Sequence, residues 1–490
     1  MRALLLLVGL YACAPKAPPP APPPPPAPPA LPAWRTQAPE PLPSRPFQLP
    51  AAAEGKLKNG IPVTVVENHE VPLVYVRLVL EGGSWTDPDR RPGLAGATMD
   101  MMNEGAGKLD AGGLSLALRK VGASLSASSG LDGSEISVSA LADQLPAALD
   151  LLATVTLQPT FPASEWKILQ SQRLSDLKSA RSDPRRISDR IWRSTLIGDQ
   201  YAGRLSQEKS IEAMTVPEMR AWYGEWVRPE LASLLVAGDT TLAEISPLLE
   251  SRFGSWKGKG KAPKVDRSPK KPLPAVSKTT IYLADKPGAA QSVVKVGQFV
   301  QPQTAPDQTD WQLADRMIGG QFVARINMNL REEKGWTYGA RSGTWFSALP
   351  GLWSVEAGIV TAHTGPAVAE ILRELKESLT TRPFTAAELT TARGSLLGSF
   401  PLAYESPGTL LSQTLEMRRY GLPADWITGQ PDRLRASTEA SVQAAWARRI
   451  QPEKLAIVIV GDVATIRPQL EALQIPIVLV NDDGRPVEKP

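Results

Sequence analysis

Apolar and polar residues alternate with a period of two over 73–80, where Val74, Val76, Leu78 and Leu80 interleave with Tyr75, Arg77 and Val79. A period of two on a β-branched background predicts a strand, and the run Ile61 to Val66 before it predicts another. Gly82-Gly83-Ser84 and Asp87-Pro88 then form turns that lead to a helix around Leu94 to Asn103. Further helices are expected over Ala147 to Thr156, entered through Pro146, and over Ser164 to Arg181, with Ser164 as the cap and Glu165 behind it. Strands mixed with long helices predict α+β layers.

The pattern repeats. Pro229-Glu230 precedes the apolar run Leu234-Leu235-Val236-Ala237 and Gly238-Asp239, and Pro452-Glu453 precedes Ile457-Val458-Ile459-Val460 and Gly461-Asp462, a displacement of 223 residues from 229 to 452. Upstream, Met219, Tyr223 and Val227 answer to Val442, Trp446 and Ile450. A spacing of four puts each trio on one helical face. Two motifs in register predict an internal duplication, with two similar domains facing one another across a cleft. Between them, 257–277 is rich in Lys, Gly and Pro and reads as a solvated linker. The expected domains are 51–256 and 278–482, followed by a tail over 483–490.

The amino terminus follows other rules. Met1-Arg2, a short apolar run to Leu10 and small residues beyond it read as an export signal over 1–12, too short to span a bilayer. Residues 15–50 hold 17 of the 47 prolines, including Pro22 to Pro26, and predict a polyproline II tether over 13–50 with a reach of roughly 110 Å. A spacer is the simpler reading of these prolines than a docking site for proline-binding modules. Leu10-Tyr11-Ala12-Cys13 resembles the lipobox of bacterial lipoproteins, which implies acylation of Cys13 and a lipid anchor. Ala14 rather than Asp after the cysteine implies, by the same resemblance, the outer membrane facing the periplasm.

Composition removes several classes of function. Fifty-four Lys and Arg against 50 Asp and Glu give +4, too little to argue for nucleic acid, and 42% apolar residues exclude a disordered chain. One cysteine excludes a disulfide scaffold, and two histidines all but exclude a site built from several imidazoles. His69 reads as a solvated turn residue and His363 as loop packing. No Ser/His/Asp, Cys/His or phosphate-cradling arrangement stands out.

Asn59-Gly60-Ile61-Pro62-Val63, Glu81-Gly82-Gly83-Ser84-Trp85 and Gly93-Leu94-Ala95 resemble the opening of the M16 (insulinase, or pitrilysin-like) metallopeptidases. In that family Gly-Leu-Ala leads into the zinc motif His-x-x-Glu-His; here the corresponding run is Gly96, Ala97, Thr98, Met99 and Asp100. Two imidazoles at i and i+4 bind zinc together while the Glu takes a proton from bound water. Gly96 has no ligand atom, Met99 is no base, and Asp100 alone replaces neither imidazole. Aligning Asp183-Pro184 with the family's Asp-Pro puts Asp176 at the third ligand position, with a shorter side chain than the family's Glu. The expectation is a chain that binds no zinc.

In the second half, Leu330-Arg331-Glu332-Glu333-Lys334-Gly335-Trp336-Thr337-Tyr338-Gly339 resembles the Leu-Arg-Glu-x-x-Gly-Leu-x-Tyr segment of M16 carboxy-terminal domains. There the Arg and Tyr help to bind substrate backbone beside the zinc, which implies that role for Arg331 and Tyr338. For Arg331 alone the bland reading is an ion pair with Glu332 or Glu333, and for Tyr338 packing on the sheet. Nearby Trp336, Trp345, Phe346 and Trp353 read mostly as core or interface aromatics. In the M16B branch one subunit carries the zinc motif and another the Arg/Tyr pair. The resemblance therefore implies a clamshell of two M16-like domains acting as the non-catalytic partner of a zinc-bearing paralogue, with a peptide or unfolded protein as substrate. The rival expectation is a tethered structural scaffold with no part in proteolysis.

Overall fold

The computed structural model describes Pro32, Arg35 and residues 51–487. The export signal, Cys13 and the rest of the tether lie outside the described residues. The chain divides into the units Met1–Phe47 and Gln48–Pro490; in the first, the Arg35 amide donates to the Pro32 carbonyl at 2.8 Å.

In the second unit the strand expected at Leu73–Leu80 forms over those residues, with Val74, Val76, Leu78 and Leu80 fully buried. It lies inside a six-stranded sheet. The strands are β1 (Ala52–Lys56), β2 (Pro62–Glu67), β3 (Leu73–Leu80), β4 (Ser124–Ser129), β5 (Ser134–Leu141) and β6 (Ala232–Gly238), in the order β1-β2-β6-β3-β5-β4. A second sheet follows, made of β7 (Thr280–Asp285), β8 (Gln291–Val300), β9 (Thr337–Trp345), β10 (Gly351–Val360), β11 (Ala456–Gly461) and β12 (Ile477–Leu479), in the order β9-β10-β8-β11-β7-β12. Five positions repeat with the same sense: β6 runs parallel to β2 and antiparallel to β3, as β11 does to β7 and β8. The sixth differs, because β1 is antiparallel to β2 whereas β12 is parallel to β7. These are two α+β domains of nearly the same topology.

The helices carry the duplication further. Those used below are α1 (Leu94–Met102), α2 (Ala163–Ala180), α3 (Pro184–Leu196), α4 (Val216–Trp226), α5 (Ala386–Ala403), α6 (Pro407–Tyr420) and α7 (Glu439–Arg449). The starts of α2, α3 and α4 reappear in α5, α6 and α7 at the same displacement of 223 residues, 163 to 386, 184 to 407 and 216 to 439. Met219 on α4, and Val442 and Trp446 on α7, are fully buried, as one apolar face per helix requires. Helix α2 begins one residue earlier than expected, and its cap is Pro162 rather than Ser164, which lies inside the first turn.

Each half lends a helix to the other. Helix α3 packs on β8 and β11 of the second sheet through Ile187, Ile191 and Trp192, all buried. Helix α6 packs on β6 of the first sheet, where Leu410 and Leu411 meet Val66, Val79, Leu235 and Ala237. Both faces of each sheet are thus covered, which explains why Tyr75 and Arg77 are half-buried although they point away from the Val74 face. Each aliphatic side chain so covered is worth roughly 1.5–3 kcal/mol.

Residues 257–277, which composition reads as a solvated linker, are mostly exposed and none is buried, but they are tied to the first half at several points. The Arg228 guanidinium donates to the carbonyls of Lys259, Gly260 and Lys261 at 3.3, 2.8 and 3.2 Å. Arg267 donates to the carbonyls of Asp132 and Glu81 and lies 5.3 Å from the Trp85 ring centroid. Val265, Leu273 and Val276 pack on the first core. The segment is a strap: the buried Arg228 meets its carbonyls, and its own Arg267 reaches back to carbonyls of the first half, ties that composition does not reveal. Past the second sheet, Asp483 is buried against the first half, ion-paired with Arg190 and 3.2 Å from Arg181.

Candidate functional site

Helix α1 starts at Gly93, in the left-handed region with φ 91°. Its first amides are held by Asp87, whose carboxylate accepts from Gly93 N at 2.6 Å and Ala95 N at 2.8 Å. Burial pushes the Asp87 carboxyl up to about 6 against the pull of those two amides. The helix then presents Gly96 and Asp100 on one face, while Met99 points into the core with no exposed surface.

Facing that pair is an arginine. Arg173 on α2 donates through Nη2 to Asp100 Oδ2 at 2.5 Å, and a β-carbon at Gly96 would lie 3.4 Å from the same nitrogen. The guanidinium therefore stands over the two helix positions from which a pair of imidazoles would converge. Asp176, one turn farther along α2, is exposed. Among the described residues no group of three or more His, Cys, Asp and Glu side chains is arranged to hold a metal ion. These residues do not fit a divalent cation: Gly96 offers no donor, and the Asp100 carboxylate already neutralises a fixed positive charge.

The Arg331/Tyr338 segment is shaped by two local irregularities. Arg325–Asn327 make one helical turn, Met328–Glu333 continue as a wider π-type turn, and Gly335, at φ 66°, breaks it. Strand β9 follows, and its pairing with β10 slips between Thr337 and Ala340, which face Ile359 and Ala357. That bulge turns Tyr338 outward, leaving it 89% exposed. Arg331 lies with its guanidinium carbon 4.6 Å from the Phe322 ring centroid and its Nε 3.5 Å from Glu332 Oε1. Arg341 approaches the same ring at 6.0 Å, so an exposed phenylalanine is shared by two arginines.

Between the halves lies a cleft of about 950 Å³. Lys295 on β8 ion-pairs with Asp189 on α3 and lies 3.2 Å from Glu356 on β10, and all three line it. Gly339 and Arg341 line it as well, whereas Arg331 and Tyr338 do not. Trp345 is a cleft residue and Trp353 is core, in contact with Trp311 and Trp446. His363 stacks on Trp336 at 5.0 Å, and His69 is an exposed partner of Asp239 at 2.6 Å, each remote from any ligand set.

Arg173, Phe322 and Arg341 escape a reading of the sequence. Arg173 offers one signal, a helical spacing of three from Asp176, which puts a cation on the face where a metal ligand is expected. Phe322 and Arg341 offer none, because their meeting depends on the fold of the π-type turn.

The family model described as insulinase (peptidase family M16) matches residues 63–208, and that described as peptidase M16 inactive domain matches 213–396. An uncharacterized zinc protease of Mycobacterium tuberculosis is 24% identical over 275 residues, 56% of this chain and 62% of the relative, so the chain spans less than two thirds of that protein. The non-peptidase homolog YmxG of Helicobacter pylori is 23% identical over 375 residues, covering 75% of this chain and 84% of its own. Among solved structures, the peptidase M16 inactive domain from Pseudomonas fluorescens superposes with a TM-score of 0.76 at 24% identity, over 84% of this chain and 98% of that one. A protease from Helicobacter pylori gives 0.73 at 17% identity, over 84% and 100%. Matched on both sides of the strap and alike in fold over 84% of its length, the chain belongs to the M16 (insulinase) peptidase family.

Proposed function

We propose that this chain is the non-catalytic subunit of a two-chain M16-type zinc peptidase, lending Arg331 and Tyr338 to a substrate cleft shared with a zinc-motif-bearing paralogue. The contrast between two sites carries the reading. Where the family's zinc ligands would stand, Arg173 is paired with Asp100; Tyr338 meanwhile is exposed and Arg331 partly so. A guanidinium can give two parallel hydrogen bonds to a peptide carbonyl, and a phenol one to a developing oxyanion. The zinc and its water belong to the partner subunit, and acylated Cys13 holds the chain at the bacterial outer membrane facing the periplasm. The match to a family model described as inactive, and the likeness to a relative described as a non-peptidase homolog, support the same view.

The test is reconstitution. The chain alone hydrolyses no peptide; mixed with the paralogue it yields chelator-sensitive activity that Arg331→Ala and Tyr338→Phe each lower by about tenfold or more. Full activity of the paralogue without this chain, or indifference to both substitutions, overturns the reading.

A second reading, a tethered scaffold, draws on the ties between the halves: Tyr201 and Tyr420 both donate to the buried Asp132, at 3.2 and 2.9 Å, and Asp483 anchors on Arg190. Co-purification separates the two. A zinc-motif partner supports the subunit, and an unrelated envelope complex supports the scaffold.

A further inference from the structure

The cleft between the halves is unevenly charged. Its lining holds four cationic side chains, Arg185, Arg193, Lys295 and Arg341, and two carboxylates, Asp189 and Glu356. Both carboxylates are engaged by Lys295. Among the described residues, Arg185 at the start of α3 and Arg341 on β9 have no acidic partner, and Arg193 spends its Nε on the Ala202 carbonyl at 2.8 Å. Burial, and then the charge of Arg190, hold Arg193 below the usual guanidinium range against the opposing pull of Asp189. Three arginines from two walls thus line one partly enclosed space, where low-dielectric walls focus the field.

The room suits an extended chain. Strand β9 ends its sheet; along its outer edge the Ala340 and Ser342 amides donate to Asn327 Oδ1 and the Gly319 carbonyl, both at 3.0 Å, and Gly343 stands two residues past Arg341 on the same face. A β-carbon at Gly343 would meet no heavy atom within 4 Å. Trp192 and Trp345 supply apolar wall beside the cations.

We propose that the interdomain cleft selects peptide segments bearing carboxylates, as acidic side chains or a free carboxy terminus, and seats them on Arg185, Arg193 and Arg341. This rests on the reading of the chain as a peptide-binding subunit and names the substrate class for it. Guanidinium and carboxylate meet through two parallel N–H to oxygen bonds, a geometry that lysine does not reproduce.

Fluorescence anisotropy of the full chain with amino-terminally labelled nine-residue peptides tests it. Four peptides share one backbone: two glutamates or two glutamines at the centre, each with a free or an amidated carboxy terminus. The expected result is at least tenfold tighter binding of the Glu peptide than of the Gln peptide in the amidated pair, or of the free acid than of the amide in the Gln pair. Whichever pair shows it identifies the source of the carboxylate. Arg185→Gln with Arg341→Gln, checked for folding by thermal melting, cuts that preference below threefold, and added salt weakens it in the parent chain. Equal binding of all four peptides, or a preference untouched by the double substitution, overturns the charge assignment and leaves the peptide cleft standing. Binding of none overturns the interdomain cleft as a peptide site, and the subunit reading is then judged by reconstitution with the paralogue.

Discussion

Lys295, in the middle of β8, crosses from the second sheet to pair with Asp189 on α3, a helix of the other half. The first sheet repeats the relationship: Arg77 on β3 donates through Nη1 to Ser412 Oγ on α6 at 2.8 Å. The two are equivalent by register, since Arg77 faces Leu235 and Lys295 faces Val458, and by partner, since Asp189 and Ser412 are displaced by the same 223 residues as Leu235 and Val458. Each domain therefore grips the other with a cation at the centre of its sheet.

Lys295→Met should destabilise the chain by about 1–3 kcal/mol, because it leaves Asp189 and Glu356 beside one another without the ammonium they share. Glu356→Gln in the same chain should return part of the loss. Urea denaturation of the two single variants and the double variant measures the coupling, and strictly additive losses would argue against a shared pair.

The strap should resist trypsin although it is rich in lysine. Arg228 binds the carbonyls around Lys259 and Lys261, so cleavage there needs local opening. Arg228→Ala should speed cutting at these two lysines by an order of magnitude in a timed digest resolved by mass spectrometry. Rapid cutting of the parent chain would show that the strap is free.

Asp87 ties stability to pH. Its folded carboxyl sits at about 6 against an ordinary 3.8. Between these values the folded chain holds a proton that the unfolded chain has released. The contribution is complete below about 3.8 and is lost as pH rises through about 6, a span worth about 3 kcal/mol. Asp87→Asn keeps one acceptor for the α1 amides and does not titrate, so it should gain on the parent chain as pH rises from 4 to 7. A difference in unfolding free energy that is constant over that range would refute the assignment.

Metal analysis of the purified full chain should find far less than one zinc per molecule, and Asp100→Ala should leave that content unchanged. The substitution removes an ion pair whose partners are 23% and 44% exposed, for a stability cost of about 0.5–1 kcal/mol. Stoichiometric zinc lost on Asp100→Ala would show that Arg173 yields its place to a metal.

Local pattern carried much of this fold. The period of two places β3, and the repeated Pro-Glu, apolar run and Gly-Asp place β6 and β11, because those signals are written in neighbouring residues. The pairing of Arg173 with Asp100 joins positions 73 residues apart, and the grip of Arg228 on the strap joins positions more than 30 apart; helical spacing puts Arg173 on the right face but does not name its partner, and nothing local marks the grip of Arg228. The Arg331 to Tyr338 segment is visible as a ten-residue run, but the bulge that exposes Tyr338 comes from its pairing with β10, which only the folded sheet supplies.

The reciprocal loan of α3 and α6 bears on whether either half can stand alone. A lone repeat would leave the back of its own sheet bare and the apolar face of a helix in water, so a body of half this size is consistent only with a second copy that supplies the missing cover. Either half expressed by itself should accordingly be insoluble, or should pair with another copy of itself.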